Sequence, residues 1–133
     1  MQKITTFLMF DGKAEEAMKF YVSLFKGSRI DMVSRYGPEQ KGMEGKVIHA
    51  EFNLAGQWFM AMDSAVKHQF SFTPSSSLYV ACQTEAEIDT LYKKLIEGGS
   101  ALMELAKYPF AEKYGWVNDK YGVSWQLILP KSK

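Results

Sequence analysis

Two stretches of this chain repeat one another: Gly56-Gln57-Trp58-Phe59-Met60-Ala61 and Gly122-Val123-Ser124-Trp125-Gln126-Leu127 are both glycine-led, strand-like and close to the end of a half of the sequence. The segments before them follow the same order. In the first half, β-branched and aromatic residues from Ile4 to Phe10 read as a strand broken by Asp11-Gly12. Ala17, Met18, Tyr21, Val22, Leu24 and Phe25 then mark a helical stripe that stops at Lys26-Gly27. Strands follow over Arg29–Tyr36, Lys46–Leu54 and Gln57–Asp63, the last two joined tightly by Ala55-Gly56. The second half restarts with a strand over Ser77–Cys82 and a helix over Glu85–Glu97 that carries Ile88, Leu91, Tyr92 and Leu95 and ends at Gly98-Gly99. Strands near Ala101–Leu105, Tyr114–Asn118 and Val123–Leu129 complete it.

Each half thus reads βαβββ, and this repetition limits the possible folds. Neither half covers both faces of a short sheet with its single helix, so the two are expected to fold together as one domain over residues 1–133. Module one takes about 1–63, a connector about 64–76, and module two about 77–130. The expected fold class is α+β, with two tandem βαβββ modules forming a curved, cup-shaped mixed sheet and the helices outside.

Composition narrows the function. Sixteen Lys and Arg against fifteen Asp and Glu leave no basic excess for a nucleic-acid backbone. The opening Met1-Gln2-Lys3-Ile4 lacks the pattern of a secretory leader, and no apolar run approaches the roughly 20 residues that span a bilayer. A cytoplasmic location without membrane attachment is expected. Cys82 is the single cysteine, so neither an internal disulfide nor a cysteine-based zinc site can form within one chain, and its strand context suits burial.

Phe10-Asp11-Gly12-Lys13-Ala14-Glu15-Glu16-Ala17, Phe20-Tyr21-Val22-Ser23-Leu24-Phe25, Ser34-Arg35-Tyr36-Gly37 and Gly122-Val123-Ser124-Trp125-Gln126 occur in an order and at spacings that resemble the PhnB-like subgroup of the vicinal oxygen chelate superfamily. That superfamily holds glyoxalases, extradiol dioxygenases, and bleomycin- and fosfomycin-resistance proteins. The resemblance runs over nearly the whole chain and implies the glyoxalase-like fold and a homodimer. The subgroup often carries the label 3-demethylubiquinone-9 3-methyltransferase. This chain, however, shows no glycine-rich strand-to-helix turn of the kind that holds S-adenosylmethionine in the common methyltransferase fold. The resemblance also implies metal-ligand positions at Thr6, Met60, Ser77 and Gln126. Of these only Gln126 is a plausible ligand type, because neutral hydroxyls are weak ligands and a thioether is too soft for hard divalent ions. No metal site or other cofactor is therefore expected, with a displaced divalent ion as the alternative.

That alternative rests on strand alternation. With Ile48, Ala50, Phe52 and Leu54 under the helix, Val47, His49, Glu51 and Asn53 face the cup. His49 and Glu51 are then the candidate catalytic pair, as a base with its orienting partner or as two ligands; equally, they are polar strand residues that satisfy each other. Trp58, Met60 and Met62 share one face, and Ser77 shares another with Tyr79. Together with Gln126 and the connector residue His68, which resembles a histidine of the subgroup, these form the candidate substrate-binding set. Arg35 and Tyr36 are candidate rim residues. The favoured expectation is a protein that binds a small hydrophobic or aromatic molecule. The alternatives are a metal-assisted or acid/base enzyme of lyase, isomerase or transferase type, and a homodimeric interaction module.

Overall fold

The computed structural model describes residues 2–132. Its elements run β1 (Thr6–Phe10), α1 (Ala14–Leu24), β2 (Arg29–Arg35), β3 (Val47–Leu54), β4 (Gln57–Asp63), β5 (Ser77–Ala81), α2 (Glu85–Ile96), β6 (Ser100–Tyr108), β7 (Ala111–Asn118) and β8 (Ser124–Leu129). The strands form two four-stranded sheets, ordered β1-β4-β3-β2 and β5-β8-β7-β6. In each, the first strand is parallel to the last and the other pairings are antiparallel. The repeated pattern in the sequence is therefore a repeated topology. The chain divides into two compact units, one ending at Gln69 and the other beginning at Phe70, and the division falls inside the expected connector.

In the first unit, α1 buries Ala14, Ala17, Met18 and Tyr21 completely. The sheet offers this stripe Leu8, Phe10, Ala50, Phe52, Phe59 and Ala61, all buried, with Phe52 and Phe59 stacked at 5.4 Å between ring centroids. A fully buried Met or Tyr contributes roughly 1.5–3 kcal/mol, so the helix is held mainly by this face.

Its N-terminus is capped from a distance. Lys13 makes no side-chain cap; instead Asp63, at the end of β4 and 1 % exposed, accepts the Ala14 N–H at 2.9 Å through Oδ1 and the Val47 N–H at 3.0 Å through Oδ2. A negative carboxylate at a helix N-terminus also meets the positive end of the helix dipole. Tyr36 donates its hydroxyl to the Asp63 carbonyl at 3.0 Å, and Arg35 pairs both guanidinium nitrogens with Glu15 at 2.8 and 2.7 Å. The two candidate rim residues thus clamp β2 to the helix side.

Pairing of β2 with β3 is interrupted twice. The second break, between Ser34 and Arg35, alters the expected alternation: Val47 is fully buried on the helix side and Ile48 is 40 % exposed, the reverse of the reading that put Ile48 under the helix and Val47 toward the cup. From His49 onward the alternation holds. The Ala55-Gly56 turn has positive φ at both positions, 51° and 92°, as a two-residue hairpin of the primed type requires.

The second unit buries Ile88, Leu91 and Leu95 of α2 against Val117, Trp125 and Leu127. Thr84 caps this helix, accepting the Glu87 N–H at 3.1 Å, while Glu87 accepts the Gln83 N–H at 2.8 Å. Gly115 lets the Tyr92 ring lie on the sheet, since a Cβ there would stand 2.8 Å from it. Asp119, 3 % exposed, gathers the turn before β8 by accepting the Tyr121 and Val123 N–H groups and the Trp125 indole N–H at 2.8, 3.0 and 2.9 Å. Cys82 is buried, and burial, aided by the Glu87 charge, pushes its thiol up to about 12. Strands β6 and β7 extend well past their expected ends and meet across Pro109-Phe110.

Replacing Asp63 by Ala strands two buried N–H groups and should cost roughly 2–5 kcal/mol, read as a lower urea midpoint at unchanged slope. Glu15 tests a charged contact in the first turn of the same helix. Its hydrogen bond to Arg35, reinforced by that guanidinium's charge, holds its carboxyl at about 2 against an ordinary 4.5. Since the folded value lies below the unfolded one, the stabilisation is complete above 4.5 and is lost as pH falls toward 2. Melting temperatures across that window should fall more steeply for the native chain than for Arg35→Ala.

Candidate functional site

The sheet face opposite α1 is built from alternate residues of four strands. Phe7 stands beside Met60 and Met9 beside Met62 in the parallel β1–β4 pair, while Glu51 faces Met60 and Asn53 faces Trp58 across β3–β4. His49 stacks on Phe7 at 6.2 Å between centroids, and its Nε2 lies 3.7 Å from Glu51 Oε2. The structure thus gathers His49, Glu51, Trp58, Met60 and Met62 on one face, as the alternation predicts.

Thr6 is different. It stands opposite Phe59 and alternates in step with the buried Leu8 and Phe10, so the β1 residue that keeps company with Met60 is Phe7. The first-strand ligand position implied by the resemblance is one residue off the face.

At one end of this face lies a recess of ≈ 350 Å³ lined by Gln2, Thr5, Asp31, Glu51, Trp58, Phe59 and Met60. Gln2 braces its wall: Oε1 accepts the Trp58 N–H at 3.2 Å, and Nε2 donates to the Trp58 carbonyl at 3.2 Å. Asp31 occupies the first break in β2–β3 pairing, between Ile30 and Met32, where it has no cross-strand partner and its side chain reaches the recess. Arg29 pairs with Asp31 at 3.6 Å and places its guanidinium 5.2 Å from the centroid of the Trp58 ring.

The corresponding face of the second unit is hydroxylic and phenolic. Tyr79 stands beside Gln126, and Ser77 beside Ser124. The Ser77 and Ser124 hydroxyls meet at 2.9 Å, and Ser124 accepts the Trp116 indole N–H at 2.8 Å. Tyr114 donates to Gln126 Oε1 at 2.5 Å, and burial together with the neighbouring Tyr79 and Tyr108 raises its phenol, keeping it a proton donor. The one ligand-type oxygen at the implied metal positions therefore already accepts a hydrogen bond from within the unit. Tyr108, Phe110 and Tyr114 form an aromatic cluster beside it, with centroids 5.0 to 5.8 Å apart. Asn118 Oδ1, at the end of β7, is buried without a partner among the described residues.

His68 stays in the connector, where Nε2 meets Ser64 Oγ at 3.1 Å. Among the described residues no three His, Cys, Asp or Glu side chains are grouped so as to hold an ion. A second recess, of ≈ 450 Å³, lies on the helix side of the first unit, where Lys13, Lys19 and Lys46 alternate with Glu15, Glu16 and Glu44. Among the described residues no helix is long and apolar enough to cross a membrane.

Sequence reasoning missed Phe7, Asp31, Tyr114, Trp116 and Ser124. Strict alternation along β1, β7 and β8 would have found all but Asp31, whose placement depends on the interrupted pairing.

Comparison with known proteins agrees with this architecture. The family model described as 3-demethylubiquinone-9 3-methyltransferase matches residues 2–128. A PhnB protein from Bacillus cereus is 63 % identical, with a TM-score of 0.94 over 96 % of this chain and 99 % of its own. A protein from Pseudomonas aeruginosa is 26 % identical, at 0.85 over 99 % and 100 %. A glyoxylase/bleomycin resistance protein/dioxygenase domain from Frankia shares the fold at 12 % identity, with a TM-score of 0.69 over 98 % of this chain and 99 % of its own. No curated protein matches. The chain belongs to the family described as 3-demethylubiquinone-9 3-methyltransferase, the PhnB-like proteins, and has the α+β fold of the glyoxalase/bleomycin resistance/dioxygenase group.

Proposed function

We propose that the chain binds a small hydrophobic or aromatic molecule on the sheet faces turned away from its helices, without the metal site of its catalytic relatives. The observation that carries this reading is the first unit's face, where Phe7, Trp58, Met60 and Met62 are in part exposed beside the ≈ 350 Å³ recess. An aromatic ring, adaptable thioethers and a few polar groups suit a flat or apolar ligand.

The family description names a methyl transfer, which would require a methyl donor such as S-adenosylmethionine. The residues present do not fit that group. Anionic and polar parts of such a cofactor are held by free N–H groups at a glycine-rich strand-to-helix turn. Here Asp63 occupies the N-terminus of α1, Thr84 and Glu87 occupy that of α2, and the two turns hold one glycine, Gly12. No methyl-transfer step follows from these residues.

A neutral probe such as 4-phenylbutanol, titrated into protein with labelled methionine methyls, tests the proposal. The Met60 and Met62 signals should move while Met18, sealed under α1, stays fixed. Trp58→Ala should weaken binding at least tenfold, about 1.4 kcal/mol. A spectrum unmoved by 4-phenylbutanol and similar aromatics sinks the reading.

The 3.7 Å approach of His49 to Glu51 favours a second reading, an acid/base or metal-assisted enzyme. Binding without a metal predicts that added zinc or manganese leaves the melting temperature unchanged. A saturable rise that disappears in His49→Ala would bring the enzyme reading forward.

A further inference from the structure

We infer that the ligand of the first unit's face is an organic cation, an apolar or aromatic body carrying an ammonium group, and that Glu51 and the Trp58 ring receive the charge. This rests on the binding reading above and names the chemical class that reading leaves open.

Two carboxylates, Asp31 and Glu51, line a recess whose remaining walls are an indole, a phenyl ring, a thioether, an amide and a hydroxyl. Asp31 is answered by Arg29 at 3.6 Å. Glu51 is not answered in the same way: among the described residues its one ionic neighbour is the His49 imidazole, at 3.7 Å, beyond hydrogen-bond reach. Its side chain is 26 % exposed, so it is partly removed from water, and no Lys or Arg among the described residues pairs with it. An ammonium entering the recess would supply a cation, and partial desolvation strengthens the attraction.

A second observation concerns the ring beside the carboxylates. The Trp58 ring already holds a cation of the chain's own, with the Arg29 guanidinium 5.2 Å from its centroid. That geometry shows the indole presented as a cation-receiving surface at the edge of the recess. Gln2 spends its amide on both the N–H and the carbonyl of Trp58, so the backbone carrying the ring is fixed before any ligand arrives. Phe7 and Met60, neighbours across β1–β4, extend the apolar surface next to Glu51 and give a ligand's body a place to lie.

Three probes with one body separate the possibilities: 4-phenylbutylammonium, 4-phenylbutanol and 4-phenylbutyrate, each titrated calorimetrically and by the Trp58 indole N–H signal. The ammonium should bind at least tenfold tighter than the alcohol, and the carboxylate most weakly. Glu51→Gln should abolish the preference, the ammonium and the alcohol then binding the variant equally. Equal binding of ammonium and alcohol overturns the cation inference and leaves the binding reading standing. An ammonium preference that survives Glu51→Gln also overturns it, because the charge is then received elsewhere. If none of the three binds, both fall.

Discussion

One buried carboxylate holds the first unit together. Asp63 ends β4, caps α1 and ties down the start of β3, so three elements distant in sequence share two oxygens. The arrangement places the unit's helix on one face of its sheet. With the N-terminus of α1 fixed against β4, its stripe of Ala17, Met18 and Tyr21 can close only on that side, and the other side is left to Phe7, Trp58 and Met60. The exposed face is thus a consequence of how the helix is anchored. The same anchoring takes the Ala14 N–H and sets a negative charge where an anionic cofactor would approach the helix end.

Two units of one topology have been given faces of different chemistry. In the second, hydroxyls, an indole N–H, a phenol and an amide close on one another in short hydrogen bonds, and Asn118 Oδ1 is the buried side-chain atom left without a partner among the described residues. In the first, the polar groups are fewer and less satisfied, with imidazole and carboxylate at 3.7 Å and thioethers around them. Buried polar groups that satisfy each other make structure, and those that do not make sites. The proposed ligand is placed on the first face because its ring and thioethers are in part exposed beside the recess.

Much of this was legible in the sequence, for reasons that also explain what was not. Helical stripes, glycine stops and the Ala55-Gly56 turn are local signals, and the elements they mark appear within a few residues of expectation. The shared face of His49, Glu51, Trp58, Met60 and Met62 followed from period-two alternation, which holds wherever pairing is unbroken. Each failure sits where pairing breaks or where propensity misleads. Val47 and Ile48 exchanged places at one interruption of β2–β3, and Asp31 joined the recess at the other. Thr6 slipped by one because the resemblance placed a position without its register. Strand β6, Ser-Ala-Leu-Met-Glu-Leu-Ala-Lys-Tyr, is written mostly in helix formers. It is a strand because Gly98-Gly99 ends the helix before it and β7 pairs along its length, and tertiary pairing outweighs propensity.

The burial of Cys82 has a consequence for how this protein can be observed. A thiol held at about 12 is almost wholly protonated at neutral pH and shielded from electrophiles, so the folded second unit resists alkylation and oxidation. The first unit has no thiol at all. Any reaction with a thiol reagent therefore records an opening of the strand-to-helix junction between β5 and α2, and its rate at rising reagent concentration gives the frequency of that event. The single cysteine makes the chain a clock for the breathing of one half and is silent about the other.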